Sequence, residues 1–340
     1  MNIIPTCALL VALLMSPLAL AGDAKEKGDD KVVAPAKAIP EPGPKASFKT
    51  NLAWQIRLDG EHFSPGILDG NWGRKGEMAM KEWHYEEKPA DWHTTPPPDF
   101  DHITAPYTVG ASDLAEVGEL SEDWNERAKL DRLRYPNLHE CLAEKFHCTQ
   151  TLLTRLNPGV KINDLKVGDN LIVPNLYPFP TPGILHGGKG AAAHHLKINL
   201  SEKTIRAFDA NDRQLALFHC SVAKDKEKLP GRNAVVKTAA LHPNYTFDPA
   251  GWPDVKNVDH KLLIAPGPRN PVGMAWIGLD LPGYGIHGNP KPELIGKTGS
   301  HGCFRLTNWD ALALFSMVKI GMTVEIEGAP AAAAPTAEKK

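Results

Sequence analysis

The chain has 340 residues, with 38 Lys and Arg against 40 Asp and Glu and a hydrophobic fraction of 42%. This near balance of charge argues against a nucleic-acid partner, and the composition is that of an ordinary globular protein. The length is sufficient for about two or three units that each bury a core. Length, composition and charge do not indicate a particular function, so the function must be inferred from the segments and motifs along the chain.

The N-terminal stretch is typical of an export signal. Residues 1–21 are apolar, are short for a membrane span and end in Ala19-Leu20-Ala21. We therefore predict a signal peptide cleaved before Gly22 and export to an oxidising compartment, the periplasm or cell wall. If the segment stays uncleaved, it would tether the protein to the membrane.

Composition separates linkers from compact modules. Residues 22–49 are rich in Lys, Asp, Ala and Pro, and the tail 328–340 is rich in Ala and Pro. Neither segment can bury enough apolar surface to fold alone, so both are predicted to be disordered. Residues 94–106 form a Pro-rich linker.

The first predicted module, residues 50–93, is helical. Leu52, Ile56 and Leu58 give an apolar stripe, and a second short helix is expected around Trp83 after the turn "SPGILDG". These features resemble the small three-helix peptidoglycan-binding module, which implies a wall glycan as partner. A helical hairpin with a Gly-rich turn is the alternative.

The second predicted module, residues 107–176, combines strands and helices. Tyr107-Thr108-Val109 would open it, "LAEKFHCTQTLLTRLNPG" has helical spacing, and Leu171–Pro174 is predicted as the closing strand. The segment resembles a lysin motif (LysM) with a long insertion after its first strand. That resemblance implies binding to glycans that contain N-acetylglucosamine.

Four cysteines follow the export signal. Cys141 and Cys148 are close in sequence, and in an oxidising compartment they form a plausible disulfide; two small buried side chains are the alternative. Cys220 and Cys303 remain. A structural bridge between these two would abolish thiol chemistry.

Residues 193–327 are predicted to be mainly β. "HHLKINLSEKTIRAFDANDRQLALF" alternates like antiparallel hairpins, "WDALALFSMVKIG" predicts one helix over 309–321, and "VEIE" predicts a last strand. The predicted fold class is thus multidomain: a β-sandwich-like domain with one late helix, preceded by two small helical or α+β modules.

Three short motifs lie inside this domain: "GPRNPVG", "GIHG" and "SHGCFRLTN". Together they resemble the catalytic domain of the L,D-transpeptidases. The resemblance covers residues 193–327 and implies cysteine-dependent acyl transfer on peptidoglycan stem peptides, with no cofactor. A zinc site on His287, His301 and Cys303 is the rival chemistry, but the sequence lacks the usual zinc-ligand spacings.

The residues alone point the same way. A free cysteine is only a few per cent thiolate at neutral pH, so a nucleophilic Cys303 needs a histidine or a helix N-terminus that favours the charged form. His287 lies at a predicted strand end, and a helix is expected to begin near residues 308–310. Gly302 would leave backbone N–H groups unobstructed for an oxyanion.

The resemblance implies a role for each motif residue. Cys303 would be the acylated nucleophile, His287 the general base, and the carbonyl of Gly288 the group that orients the base. His301 would line the site and position substrate. The N–H groups of His301, Gly302 and Cys303 would form the oxyanion hole.

Two further residues complete the predicted site. Ser300 would hold the loop by hydrogen bonding. Arg305 would meet a stem-peptide carboxylate, since its planar fork suits bidentate contact. A structural ion pair between Arg305 and Asp310 is the alternative.

The implied reaction forms a thioester on Cys303 and releases the terminal D-amino acid of a tetrapeptide stem. A stem diaminopimelate would then give a 3→3 cross-link, a protein lysine would give a wall-anchored protein, and water would give carboxypeptidase activity. A wall-binding protein without catalysis is the alternative from another class. By analogy, a Gram-negative type of envelope is favoured.

Overall fold

The structure, a computed structural model, describes residues 40–85, 99–176, 193–252, 254–299 and 302–328. These ranges all belong to one compact unit, Pro40–Lys340. The predicted signal peptide lies outside them, as do most of the 22–49 linker and nearly all of the C-terminal tail. Within these ranges, no helix combines the length and apolarity needed to cross a bilayer.

The first described segment holds two helices, α1 (Phe48–Gly60) and α2 (Arg74–Tyr85). The Gln55 side chain organises the turn between them, because its Oε1 accepts from Gly70 N at 2.8 Å and its Nε2 donates to Asn71 O at 2.8 Å. The described residues before 86 contain no third helix. The assignment of a three-helix binding module therefore stays a prediction.

The next segment pairs two strands around four short helices. β1 (Thr104–Thr108) runs antiparallel to β2 (Asn170–Pro174), and it begins three residues before the predicted opening strand. Between the strands lie α3 (Ala111–Ala115), α4 (Trp124–Arg127), α5 (Leu138–Lys145) and α6 (Gln150–Leu156). We call residues 109–137, which hold α3 and α4, the insertion.

The predicted disulfide does not form. Cys141 and Cys148 are free, buried thiols, and burial raises the pKa of each to about 12. Cys148 belongs to the core of the β1–β2 segment, and the Cys141 Sγ lies 3.7 Å from the carbonyl oxygen of Asp113. Both cysteines act as small apolar side chains, which is the alternative to a disulfide that the sequence left open.

The last domain is built on one mixed sheet of eight strands in the order β11-β10-β9-β6-β12-β3-β4-β5. A small hairpin, β7–β8, stands beside the sheet. The elements are β3 (His195–Asn199), β4 (Thr204–Phe208), β5 (Gln214–His219), β6 (Ala234–Leu241), β7 (Tyr245–Phe247), β8 (Leu262–Ile264), β9 (Ala275–Leu279), β10 (Gly285–His287), β11 (Phe304–Arg305), α7 (Asn308–Met317) and β12 (Thr323–Glu327).

Strand β6 explains why the sheet curls rather than forming the predicted sandwich. Ala234 and Val235 pair with β12, whereas the strand from Val236 onward pairs with β9, with a register shift between Val236 and Thr238. A long strand that changes partners joins both halves into one continuous, curled sheet. The prediction of a mainly β domain with one late helix is confirmed, and the curled sheet takes the place of two separate sandwich layers. The domain core lies between this sheet and α7.

Helix α7 begins where expected and ends early. The Thr307 hydroxyl caps it by accepting from Asp310 N at 2.9 Å. Its predicted end was residue 321, but the helix stops at Met317 because Val318 adopts extended backbone with ψ 156. β-branched Val318 favours that conformation.

Buried polar groups join the N-terminal segments to the sheet domain. His147 Nδ1 lies 2.8 Å from Asp59 Oδ1, and its ring stacks on Trp309 with centroids 5.1 Å apart. Asp310 accepts from the Ser64 hydroxyl at 3.3 Å. Such groups must be paired when buried, so the junction is specific rather than a loose apolar contact.

Candidate active site

Two neighbouring strands bring the predicted base and nucleophile together. β10 and β11 run parallel, with His287 opposite Arg305 in the register, and Cys303 directly precedes β11. His287, Cys303 and Arg305 all line one cleft of about 1050 Å³. The loop from Gly288 to Cys303 makes this connection, so residues distant in sequence meet at one edge of the sheet.

His287 is held in one orientation. Its Nδ1 donates to the carbonyl oxygen of Gly288 at 2.6 Å, which leaves Nε2 as the basic nitrogen of the ring. Trp276 stacks on the imidazole with centroids 5.6 Å apart, because these two residues pair in the β9–β10 register. Burial lowers the pKa of His287 to about 4, so the ring is neutral at pH 7.

Cys303 is partly exposed in the same cleft. Its Sγ lies 3.4 Å from the carbonyl oxygen of Gly283. Burial raises the pKa of the thiol, and the backbone of Gly285 and the charge of Arg305 oppose that rise without reversing it. The resting pair is therefore a thiol and a neutral imidazole, whereas the sequence predicted surroundings that favour thiolate. Deprotonation must then accompany attack.

Arg305 presents its charge to the cleft. Its backbone is fixed by Ser221, which exchanges two hydrogen bonds with it at 2.8 and 3.0 Å. Its guanidinium makes no ion pair within the described part of the chain. The alternative pairing with Asp310 is not seen, because Asp310 is buried beside Ser64 and Thr307. A cation without an acidic partner is suited to a substrate carboxylate.

Several predicted site features remain predictions. Ser300 and His301 lie outside the described residues, and the oxyanion hole depends on one of them. Gly302 lines the cleft. The alternative bridge is absent, since Cys220 is a free and fully buried thiol whose pKa burial raises to about 12.

The rival zinc site needs His301, which lies outside the described residues. Among the described residues, Asp59, His147 and Asp310 have ligand atoms within 4.8 Å of one another. The closest pair of these atoms, Nδ1 of His147 and Oδ1 of Asp59, is 2.8 Å apart, which is a hydrogen-bond distance.

Asn308, the last residue of the "SHGCFRLTN" motif, was given no role by the sequence. Its Oδ1 accepts from Met274 N at 3.0 Å, and its Nδ2 donates to Pro268 O at 3.1 Å. A Cβ on Gly288 would lie 2.2 Å from that Oδ1. Asn308 thus fixes the "GPRNPVG" loop against Gly288, whose carbonyl accepts from His287, the predicted base.

Two aromatic residues of the site were also missed. Trp276 covers one face of His287, and Tyr245 lines the cleft and interacts electrostatically with Cys303. The sequence motifs assigned no role to Trp276. The strand register, which shows that it faces the base, is a property of the tertiary fold.

Comparison with known proteins agrees with the geometry. The L,D-transpeptidase catalytic domain family, YkuD, matches residues 193–326. The YkuD protein of Bacillus licheniformis is 27% identical over 188 residues, covering 55% of this chain and 92% of that protein. The YqjB protein of Bacillus subtilis is 42% identical over 98 residues, covering 27% of this chain and 56% of that protein.

Solved structures with similarity include L,D-transpeptidase 3 from Mycobacterium tuberculosis, at 16% identity with a TM-score of 0.32, covering 48% of this chain and 76% of that chain. An Enterococcus faecium L,D-transpeptidase has 16% identity and a TM-score of 0.30, and the similarity covers 40% of this chain but only 50% of that chain. The family match assigns residues 193–326 to the L,D-transpeptidase catalytic domains of the YkuD family.

Proposed function

We propose that the protein is an exported, cysteine-dependent L,D-transpeptidase that acts on the tetrapeptide stems of peptidoglycan. One observation carries the proposal: Cys303 and His287 line the same cleft from adjoining strands, and the Nδ1 of His287 is committed to Gly288 at 2.6 Å. That arrangement presents a neutral base to a thiol.

In the first half-reaction, Nε2 of His287 takes the thiol proton as the sulfur attacks the carbonyl that precedes the terminal D-residue. Backbone N–H groups at residues 301–303 are proposed to stabilise the oxyanion. As the tetrahedral intermediate collapses, the C–N bond breaks and His287 returns the proton to the leaving amine. A thioester on Cys303 and a free D-amino acid result.

In the second half-reaction, an amine attacks the thioester and gives up a proton to His287. The C–S bond breaks, and the protonated base restores the thiol. A stem diaminopimelate as acceptor would form a 3→3 cross-link, and this is the acceptor that we propose. A protein lysine or water would use the same nucleophile and give wall anchoring or carboxypeptidase activity.

The N-terminal segments are proposed to bind wall glycan. The alignment with the Bacillus licheniformis protein is longer than residues 193–326, so the similarity extends beyond the catalytic domain. Export by the N-terminal signal would place the enzyme in the periplasm or wall. A non-catalytic wall-binding role is the competing function, and the retained pair of Cys303 and His287 argues against it.

Intact-mass measurement after incubation with a carbapenem tests the nucleophile. Wild type should gain one adduct and Cys303→Ala none; an adduct that survives in Cys303→Ala would overturn the assignment. Incubation with a disaccharide-tetrapeptide then separates the acceptors by product mass. Dimer indicates cross-linking, tripeptide indicates hydrolysis, and an exchanged terminal residue indicates transfer to a free amino acid.

A further inference from the structure

The insertion supplies one wall of the catalytic cleft. Trp124 and Arg127, both on α4, line the same cleft as Cys303 and His287. Both residues precede the catalytic domain, which begins at residue 193. The cleft therefore has a substrate-facing wall that the catalytic domain alone does not provide.

This wall is held rigidly on the β7–β8 hairpin. Trp124 stacks on Phe247 with centroids 4.1 Å apart and planes at 19°. Leu133, which is fully buried, donates its N–H to Pro266 O at 2.9 Å. Asn257 Nδ2 donates to Asp123 Oδ2 at 2.6 Å. A ligand that contacts the wall would not have to order it first, which favours binding.

The charged side chains that line the described part of the cleft are cations. None of the described residues that line it is Asp or Glu. The lining cations are Arg127, Lys228, Arg269, Lys291 and Arg305. A concave surface with charge of one sign focuses the potential and concentrates anions.

Two of these cations lie close enough to influence each other. Burial lowers the pKa of Arg127, the exposed carboxylate of Glu122 opposes this, and the charge of Arg269 lowers the pKa further. An anion placed at Arg127 and Arg269 would relieve their repulsion.

Both arginines keep N–H groups for a ligand. Arg127 Nη2 pairs at 3.0 Å with Glu122, whose side chain is 95% exposed, so that ion pair contributes little. Arg127 Nη1 makes no hydrogen bond within the described part of the chain. Arg269 Nη1 donates to Glu140 Oε1 and to Pro290 O, each at 2.7 Å, whereas its Nη2 makes no hydrogen bond within the described part of the chain.

We propose that Arg127 and Arg269, with Trp124 beside them, form a second anion subsite that binds a non-terminal carboxylate of an acidic peptide. This inference rests on the proposed function, because it assumes that a stem peptide occupies the cleft. Arg305 would bind the carboxylate of the terminal residue. The second subsite would bind a side-chain or other non-terminal carboxylate that lies nearer the N-terminus of the peptide. The insertion would thereby select for acidic stems.

Steady-state transfer with two tetrapeptide stems tests the subsite. Both peptides keep the C-terminal carboxylate, and the non-terminal carboxylates are free in one and converted to primary amides in the other. Arg127→Ala should raise KM for the free acid about tenfold, as expected for a lost charge-assisted contact, and change KM for the amidated peptide less than about twofold. Arg127→Lys should recover part of the loss.

Lys129→Ala is the matched control, because Lys129 is an exposed residue of the insertion that does not line the cleft. An equal change of KM for both peptides in Arg127→Ala, or no change, would overturn the second subsite. Carbapenem acylation distinguishes failure of the second subsite from failure of the proposed function. If wild type forms no adduct and no transfer product, the proposed function fails; if Arg127→Ala acylates normally but loses the preference for the acid, the subsite is supported.

Discussion

Asn308 donates a hydrogen bond of 2.8 Å from its Nδ2 to Oε1 of Glu144, and both side chains are buried. Asn308 begins α7 in the catalytic domain, whereas Glu144 lies on α5 in the preceding segment. The same amide holds Met274 N and Pro268 O close to Gly288. The β1–β2 segment is therefore connected, through one side chain, to the backbone that orients His287, the proposed base.

Glu144→Gln should remove part of the pH dependence of stability. Burial raises the pKa of Glu144 from 4.5 to about 7, so the folded state binds this proton more tightly than the unfolded state does. Its contribution to stability is present at low pH and is lost as pH rises through about 7. Gln cannot ionise, and its amide oxygen can still accept from Asn308.

The expected result is a Tm that matches wild type near pH 5 and exceeds it by roughly 2–6 °C at pH 8. Differential scanning calorimetry at the two pH values measures this. Glu119→Gln, at an exposed position, serves as the control and should leave both values unchanged. A variant less stable than wild type at pH 8 would show that Glu144 stabilises the junction as an anion.

Much of the catalytic domain could be predicted from its motifs, because they combine the residue types that thioester chemistry requires. Alternating hydrophobicity also located strands such as β3 and β4, and Thr307 is a good N-cap for α7. The curl of the sheet could not be predicted, since it arises where β6 changes partners at Val236. Strand pairing of this kind depends on contacts remote in sequence.

The electrostatics of the site were predicted in the wrong direction for a physical reason. Sequence shows that Cys303 and His287 are present but does not show how deeply each is buried. Desolvation raises the thiol pKa more than Arg305 lowers it. The position of α4 could not be predicted either. This helix has only four residues and no repeating pattern of apolar residues, so nothing in the sequence indicated that it forms a wall of the cleft.

His287→Ala should slow acylation of Cys303 by about 10²–10⁴, as expected for loss of general-base help. In wild type the acylation rate should be half-maximal near pH 4, where burial places the pKa of His287, because only the neutral ring accepts a proton. The acylation rate of His287→Ala should not show this fall toward low pH. Stopped-flow acylation by a carbapenem between about pH 3 and pH 8 measures both effects.

His260→Ala provides the control for this experiment, since His260 is exposed and its ion pair within the described ranges is with its neighbour Asp259. Its acylation profile should overlay wild type. If His287→Ala acylates at the wild-type rate, the general base must be another residue, and His301 is the next to substitute.

Gly267→Ala should loosen the insertion from the catalytic domain. Gly267 has φ +144, and a Cβ there would lie 2.3 Å from the carbonyl oxygen of Leu133 in the insertion. Relief of that clash must displace the contact in which Leu133 N donates to Pro266 O at 2.9 Å. We expect a loss of about 1–3 kcal/mol in the free energy of unfolding.

Urea denaturation measures the loss, and limited proteolysis should show earlier cleavage within residues 109–137. Gly231→Ala is the matched control, because a Cβ at Gly231 meets no atom within 4 Å. Equal stability of the two variants would mean that the backbone at Gly267 adjusts without moving the insertion.

Arg305→Ala should abolish preference for a free C-terminal carboxylate. Arg305 lines the cleft next to Cys303 without an acidic partner among the described residues, so the substrate carboxylate is its expected counter-ion. Wild type should favour a tetrapeptide acid over its C-terminal amide by about tenfold or more in kcat/KM, and the variant should treat both alike. Arg305→Lys keeps the charge without the planar fork and should retain part of the preference.

Arg232→Ala is the control, because Arg232 is an exposed arginine that pairs with Asp280; this variant should prefer the acid as wild type does. If Arg305→Ala lowers the rates for acid and amide equally, Arg305 acts through the thiol, whose pKa its charge lowers, and not through the substrate.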